Sequence, residues 1–231
     1  MGVFAGPRVP VKDWCLVADA TNSKIITNST TTITNVIESS NNLTGSGFVV
    51  VDDETAGRSF SFQSANVATQ SNWTPVINKY NFSVIQWLKF QAGKNNNYTQ
   101  TFETDTTDNP GHSYYFRCDT REQDNQRILI YVKDYDTNNW ATSTVISQAN
   151  WLNSTVWHQI GFTISQESEF KTYVNGKLFG TVATSSQDLS DYGNIDQIQM
   201  GSTYDTPGAR CGYFAAYRRA LTAAEMLANY N

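Results

Sequence analysis

Short runs of alternating apolar and polar residues, rich in β-branched and aromatic side chains, follow one another along the chain from residue 14 to residue 217. A period of two is typical of strands that bury one face, and turns rich in Gly, Asn and Asp separate the runs. This spacing predicts an all-β fold, a two-sheet antiparallel jelly-roll sandwich. The predicted strands are 14–19, 31–37, 48–51, 58–62, 82–90, 98–102, 113–118, 127–133, 142–147, 156–164, 170–174, 178–183, 195–200 and 210–217.

Two of these runs carry further information. The run 82–90 is apolar on both faces, since Ile85 and Trp87 alternate with the apolar residues of the other face, and this predicts a central strand that is covered twice. Asn175-Gly176 is a strong two-residue turn signal and predicts a type I′ hairpin between the flanking runs.

A single helix is predicted at the end of the printed sequence. Thr222 and Glu225 stand three residues apart, ahead of Met226 and Leu227, which is the pattern of a capping box. One short helix beginning at Thr222 is therefore expected after the last strand.

The overall charge argues against nucleic-acid partners, and the hydropathy argues against a membrane. The net charge is −5 and the isoelectric point is about 5.0, with no run of Lys or Arg, so we expect no nucleic-acid binding. No stretch approaches the ~20 apolar residues of a membrane span, so we expect no membrane insertion and synthesis in the cytoplasm.

Residues 1–12 differ from the rest of the chain, because Gly2, Gly6, Pro7 and Pro10 are incompatible with regular structure. We predict an extended arm over 1–12 and one sandwich domain over 13–231. The arm is expected to anchor the protein to a neighbouring molecule, and its candidate anchoring residues are Phe4, Pro7, Arg8 and Pro10.

Cys15, Cys118 and Cys211 are an odd and widely spaced set, which favours buried free thiols over a disulfide. A structural zinc site needs ligands in close pairs, which neither the cysteines nor His112 and His158 provide.

Catalytic carboxylates are not apparent. Glycoside hydrolases need two carboxyl groups that flank the scissile bond. The nearest approach is Asp52-Asp53-Glu54, which is interpreted as a solvated turn, with catalysis as the alternative. His158 is interpreted as a packed or edge histidine, because no nucleophile motif accompanies it.

Asp134, Asp136 and Asn138 place oxygen ligands at alternate positions, as a calcium loop does. The alternative is a hairpin tip, since turns also select Asp and Asn. Calcium is the one cofactor considered, and the metal-free alternative is preferred.

Several aromatic residues could stack on sugar rings if they share an exposed loop end, and the alternative is that they fill the core. The candidate ligand-binding residues are Trp73, Tyr98, Tyr114 and Trp140.

The closing segment resembles a known family. Residues 217–225 read Y-R-R-A-L-T-A-A-E and end in N-Y-N at 229–231, which is similar to the closing signature of concanavalin A-like, laminin-G-like domains in virion proteins of tailed bacteriophages. The segments 157–160, 173–177 and 198–201 match successive strands of that family in order, and 16–22 and 57–63 resemble its opening strands.

This resemblance implies a concanavalin A-like fold and a non-enzymatic structural protein on the capsid or tail surface of a phage particle, present in many copies and contacting other virion proteins. The alternative is a module that recognises host-surface glycans in a tail fibre or spike. A glycoside hydrolase is a more remote alternative, because a fold does not by itself supply a site.

Overall fold

The computed structural model describes residues 12–22, 32–35, 37–38, 40–45, 48–53, 57–62, 67–70, 73, 75–90, 99–105, 116–121, 127–133, 140–147, 156–165, 169–183, 194–201 and 209–230. The elements in these ranges are strands, followed by one helix. In chain order they are β1 (Trp14–Asp19), β2 (Thr32–Ile33), β3 (Leu43–Gly45), β4 (Phe48–Asp53), β5 (Gly57–Phe62), β6 (Val67–Gln70), β7 (Asn81–Phe90), β8 (Thr99–Asp105), β9 (Phe116–Arg121), β10 (Arg127–Lys133), β11 (Trp140–Ser147), β12 (His158–Ser165), β13 (Glu169–Val174), β14 (Lys177–Ala183), β15 (Gln197–Gly201), β16 (Ala209–Tyr217) and α1 (Ala223–Tyr230).

The strands form two sheets, and every strand pair is antiparallel. Sheet A has the order β14-β13-β12-β7-β16-β5-β4, with β1 also paired to β16. Sheet B has the order β11-β10-β9-β8-β15-β6-β3-β2. The predicted two-sheet sandwich with one short helix is confirmed.

Aromatic rings from both sheets meet in the core and identify the inner faces. Phe82 and Phe162 of sheet A contact each other with ring centroids 5.7 Å apart, and Phe82 lies 4.9 Å from Phe116 of sheet B. Since side chains alternate along a strand, the residues at alternate positions from these rings lie on the outer faces.

The outer face of sheet A is covered by α1. Met226 is fully buried, and a β-carbon added to Gly161 of β12 would lie 3.1 Å from its sulfur. The rings of Trp87 and Tyr230 are stacked at 5.6 Å. The prediction that the strand around Trp87 is covered on both faces is therefore confirmed.

The capping box that the sequence predicts is formed. The Thr222 hydroxyl accepts a hydrogen bond from the amide of Glu225 at 3.2 Å, and the Glu225 carboxylate accepts one from the amide of Thr222 at 2.9 Å. The helix begins at Ala223, so Thr222 is its N-cap residue rather than its first residue. No helix in the described part of the chain is long and apolar enough to cross a membrane.

The predicted hairpin is also present. Asn175 and Gly176 have φ angles of 49° and 74°, and Val174 pairs with Lys177 across the turn. Positive φ at both central residues is what a type I′ turn requires, and Asn-Gly tolerates it.

Other boundaries differ from the prediction. Within the predicted run 31–37, the described strand is limited to Thr32–Ile33. At Asn35 the side chain, rather than the backbone, makes the hydrogen bonds to β1. Its amide oxygen accepts a hydrogen bond from the amide of Val17 at 3.4 Å, and its amide nitrogen donates to the carbonyl of Cys15 at 2.7 Å. The short strands β3 and β6 were not predicted, since they are brief and largely polar.

All three cysteines are free and buried, which confirms the predicted thiols. Burial raises the pKa of Cys15 and of Cys211 to about 12, so both are protonated and unreactive at neutral pH.

Candidate functional site

Trp73 lies in the core. Its side chain is 1% exposed, and its amide donates a hydrogen bond to the carbonyl of Asp196 at 2.5 Å. A ring enclosed in the core presents no face to a sugar, so the structure corrects the expectation that Trp73 stacks on a ligand. The sequence around Trp73 does not distinguish an aromatic ring in the core from an exposed one.

The other predicted ligand-binding residues are not brought together in the described part of the chain. Trp140 is the first residue of β11 and pairs with Lys133 of β10. The structure describes its backbone but not its side chain. Tyr98 and Tyr114 lie outside the described residues. Their role in binding stays a prediction.

The predicted calcium residues and the arm also lie outside the described residues, so both stay predictions. They are Asp134, Asp136 and Asn138, which stand in the sequence between β10 and β11, and Phe4, Pro7, Arg8 and Pro10. Among the residues that are described, no group of three or more His, Cys, Asp or Glu side chains is arranged to hold a metal ion.

His158 is packed as the sequence indicated, whereas Asp52 is solvated but belongs to strand β4 and not to a turn. Asp52 is exposed near the end of β4 and pairs with Arg58 across the hairpin to β5. Glu54 lies outside the described residues. His158 is 9% exposed on the inner face of sheet A, where burial lowers its pKa, so it is a packed, neutral side chain at pH 7.

The acidic and basic groups around the C-terminal segment form structural ion pairs. The Arg219 guanidinium lies 2.6 Å from the Glu225 carboxylate and 3.3 Å from Asp13. Hydrogen bonding from Arg219 is the main cause that lowers the pKa of Glu225 to about 2. These contacts explain the Arg and Glu of the closing signature, because they fix the start of α1 against the last strand.

A second arginine joins distant segments of the chain. Arg218 forms an ion pair with Glu38 and donates a hydrogen bond to the carbonyl of Pro75 at 2.8 Å. The Glu38 carboxylate also accepts a hydrogen bond from the side chain of Asn41 at 2.8 Å. The carboxylate is thus held by structural partners rather than presented to a substrate.

The outer face of sheet B carries a row of polar residues that sequence reasoning missed. Gln199 of β15 pairs with Thr69 of β6, and Thr69 pairs with Thr44 of β3. Their neighbours Ile198 and Met200 are buried on the inner face, so the row faces outward. We call Thr44, Thr69 and Gln199 the polar row.

The polar row is open to solvent at one end and closed at the other. Thr44 is exposed and Thr69 is half-buried, while Gln199 is only 6% exposed. The Thr69 hydroxyl donates a hydrogen bond to the Gln199 amide oxygen at 3.2 Å, and the amide nitrogen of Gln199 has no hydrogen-bond partner among the described residues. The row therefore retains an unused donor.

The backbone register extends this row across the sheet. Gln199 pairs with Glu103 of β8, and Glu103 pairs with Arg117 of β9. The alternation of Gln197 and Gln199 with apolar neighbours was a signal of an outward polar face. The residues that complete the row are far apart in sequence, so only the pairing of the strands brings them together.

Comparisons with known proteins agree with this architecture. Residues 61–226 match a family model described as the concanavalin A-like lectin/glucanases superfamily. No curated protein matches the sequence.

Three solved structures of similar fold are described as binding domains. The botulinum neurotoxin serotype D binding domain has a TM-score of 0.70 at 14% identity, with 94% of this chain and 51% of that chain covered. The serotype D ligand binding domain in complex with N-acetylneuraminic acid has a TM-score of 0.69 at 15% identity, with 94% and 50% covered. The binding domain of Paraclostridial Mosquitocidal Protein 1 has a TM-score of 0.68 at 14% identity, with 95% and 52% covered.

The chain spans about half the length of these solved structures, and at such low identity the likeness is one of fold. The family model, by contrast, matches well over half of the chain. The two-sheet sandwich, its closing helix and this match together show that the chain belongs to the concanavalin A-like lectin/glucanases superfamily.

Proposed function

We propose that the protein is a non-enzymatic, lectin-like module that binds carbohydrate on the outer face of sheet B. The polar row is the observation that carries this proposal. Sugar hydroxyls are neutral groups that both donate and accept hydrogen bonds, and the hydroxyl and amide groups of Thr44, Thr69 and Gln199 complement them.

The energetics of Gln199 favour a ligand at this place. A buried donor without a partner costs about 1–3 kcal/mol, and a sugar hydroxyl offsets that cost when rotation of the Gln199 side chain brings the enclosed nitrogen to the open end of the row. Thr69 holds the amide oxygen at 3.2 Å and so directs the amide nitrogen away from itself. The exposed side chain of Thr44 gives the ligand a path to the row from solvent.

Non-enzymatic binding fits the placement of the carboxylates near the C-terminal segment. Glycoside hydrolysis by two carboxyl groups requires both to face the sugar, roughly 5–10 Å apart. Glu38 and Glu225 are instead paired with Arg218 and Arg219. The botulinum neurotoxin and Paraclostridial Mosquitocidal Protein 1 structures of similar fold are also described as binding domains.

The test measures binding of polysaccharide from the host envelope to the full chain, first on a glycan array and then by titration calorimetry. We expect Thr69→Val and Thr44→Val each to weaken binding about tenfold, which corresponds to the loss of one hydrogen bond. Thr181→Val is the matched control, because Thr181 is an exposed strand threonine on sheet A. Equal affinities for all three variants would exclude the polar row as the site.

The same samples test the absence of catalysis. We expect no time-dependent rise in reducing ends when the protein is incubated with the polysaccharide. A rise that disappears in the Asp52→Asn, Glu54→Gln double variant would instead identify that acidic segment as a hydrolytic site.

The location of this module is the second part of the proposal. The phage-type closing signature supports a virion protein made in the bacterial cytoplasm and displayed in many copies on the capsid or tail, where it contacts other virion proteins. The arm, with Phe4, Pro7, Arg8 and Pro10, is proposed as the anchor. Deleting residues 1–10 should leave the sandwich folded and remove the protein from particles, and normal occupancy of particles would contradict the anchor.

A further inference from the structure

The polar row continues to the edge of sheet B. Thr44 of β3 pairs with Thr32 of β2, and β2 is the last strand of the sheet on this side. The neighbouring residues Ile33 and Leu43 are fully buried on the inner face, so Thr32 lies on the same outer face as the polar row. We call the polar row together with Thr32 the edge row, and it consists of Thr32, Thr44, Thr69 and Gln199.

Exposure to solvent falls along the edge row from Thr44 to Gln199. Thr44 is exposed and Thr69 is half-buried, whereas Gln199 is only 6% exposed. The amide nitrogen of Gln199 is enclosed and has no hydrogen-bond partner among the described residues. Thr32, at the edge of the sheet itself, is half-buried. The edge row is therefore open toward the edge of sheet B and closed at Gln199.

The edge row consists of hydroxyl and amide side chains, which are uncharged. The Thr44 hydroxyl donates a hydrogen bond to the carbonyl of Thr69 at 3.4 Å, and the Thr69 hydroxyl donates one to the Gln199 amide oxygen at 3.2 Å. Each of these hydroxyl oxygens can still accept a hydrogen bond. An uncharged sugar chain offers hydroxyl donors at every unit, so it complements the edge row along its whole length.

The length of the edge row sets how much of a ligand it contacts. Three intervals separate β2 from β15 in the strand order, and strands lie about 4.8 Å apart, so the row spans about 14 Å. A sugar unit in a linear chain is about as long as one strand spacing, so the row accommodates roughly three units. A chain that enters over the edge of the sheet must end at Gln199, because the row is closed there.

We propose that the edge row binds the end of an uncharged glycan chain, with the terminal unit at Gln199 and the following units leaving over Thr44 and Thr32. The inference rests on the proposed function and deepens it, since it names chain ends as the class of ligand and Thr32 as a further specificity residue. The interior of a chain would instead need a row that is open at both ends.

The first test compares chain lengths on the full protein. The probes are linear malto-, cello- and chito-oligosaccharides, and binding is measured by titration calorimetry. In a series that binds, the affinity should rise from one unit to about three units and then stay constant, because a longer chain offers the row no further contact and no further end. Binding to chain interiors would give an affinity that keeps rising beyond about three units, because longer chains contain more interior segments.

The second test modifies one end at a time in the trisaccharide that binds most tightly. Reduction to the alditol changes the reducing end, and methylation of the terminal hydroxyl changes the non-reducing end. One of the two modifications should weaken binding about tenfold, because the closed end of the row loses a hydrogen bond and has no room for the added group. The other modification should leave the affinity unchanged, and the comparison identifies which chain end is bound.

Threonine variants separate this inference from the proposed function. Thr32→Val should weaken binding of the trisaccharide about threefold and leave binding of the disaccharide unchanged, because only the longer ligand reaches the edge strand. Thr69→Val should weaken binding of both ligands. Thr181→Val, on sheet A, is the matched control, and the melting temperature of each variant checks that it is folded.

The possible outcomes have different meanings. If Thr69→Val leaves every affinity unchanged, the proposed function is wrong and this inference fails with it. If Thr69→Val weakens binding while the affinity keeps rising with length and neither end modification has an effect, the row binds chain interiors and only this inference is overturned. An unchanged affinity of Thr32→Val for the trisaccharide would overturn the path over the edge. Absence of binding in all three series would also overturn this inference, while the proposed function keeps its own test on the glycan array.

Discussion

The two sheets differ in the chemistry of their outer faces, among the residues whose side chains the structure describes. In sheet A, Ile85 and Trp87 point away from the core of the sandwich, and they are 0% and 6% exposed because α1 and the adjoining chain cover them. In sheet B the outward positions Thr44 and Thr69 are polar and exposed or half-buried. Sheet A is thus the middle of three layers, and the polar row of sheet B faces outward.

Because of this difference, we expect the outer face of sheet A to contribute to stability and the polar row of sheet B to contribute to binding. The outer face of sheet A is apolar and is joined to α1 by specific hydrogen bonds, so changes there should unfold the protein. The polar row contributes little burial of apolar surface, so changes there should alter binding without altering stability. The predictions below test this division, from the largest expected effect to the smallest.

The largest effect is expected at Met226, which fills the space between α1 and Gly161. Met226→Ala should lower the free energy of unfolding by about 3 kcal/mol, because it removes buried apolar surface and leaves a cavity. This corresponds to a fall in melting temperature of roughly 6–12 °C, measured by calorimetry. Leu227→Ala, on the exposed side of the same helix, is the control and should cost well under half as much.

A smaller effect is expected at Ser83, which joins sheet A to the segment before α1. Its hydroxyl accepts a hydrogen bond from the amide of Leu221 at 2.8 Å and donates one to the carbonyl of Arg219 at 2.9 Å. Ser83→Ala should cost about 2 kcal/mol in unfolding free energy, because a buried amide loses its partner.

Ser59 is a matched control for this change, since it is also buried in sheet A but its hydroxyl has no partner among the described residues. Ser59→Ala should be neutral or stabilising in urea unfolding. Equal losses in the two variants would show that the hydrogen bonds of Ser83 do not carry the attachment of α1.

Acid should weaken the attachment of α1 through Glu225. Its pKa is lowered from 4.5 to about 2 in the folded protein, so its stabilising contribution is full above pH 4.5 and is lost as the pH falls toward 2. At pH 7, Glu225→Gln should cost about 1 kcal/mol, since the side chain is partly exposed and its ion pair is screened.

The measurement is the difference in melting temperature between Glu225→Gln and the unchanged protein at several pH values. We expect the difference to shrink between pH 4.5 and pH 2, while the exposed residue Asp52, changed to Asn, serves as the control. A difference that is constant over this range would mean that the charge of Glu225 is not what stabilises the start of α1.

The smallest effect is expected in the polar row. Gln199→Leu should change the free energy of unfolding by no more than about 0.5 kcal/mol, because the loss of the hydrogen bond from the half-buried Thr69 hydroxyl is offset by removal of a buried amide nitrogen that has no partner among the described residues. Met200→Ala, the next residue on the inner face, should cost about 2–5 kcal/mol in the same urea titration. A large loss in Gln199→Leu would show that the polar row is structural.

Local features of the fold were predictable because their signals lie within a few residues. Thr222 and Glu225 form the predicted capping box, and Asn175-Gly176 forms the predicted turn. The two apolar faces of the run around Ile85 predicted a strand covered twice, although the sequence did not identify α1 as its cover. The closing signature predicted the family, which the match of residues 61–226 confirms.

The candidate site depended on the tertiary structure. Thr44, Thr69 and Gln199 become neighbours only through the pairing of β3, β6 and β15, and the register of a sheet is not encoded in any one of its strands. Burial is likewise a property of the whole fold, which is why the sequence left Trp73 open between a ligand-binding ring and a core ring, and the structure places it in the core. The sequence by itself therefore determined the class of fold and its local turns and caps, because these follow from short-range periodicity, while long-range packing decided which side chains face a ligand.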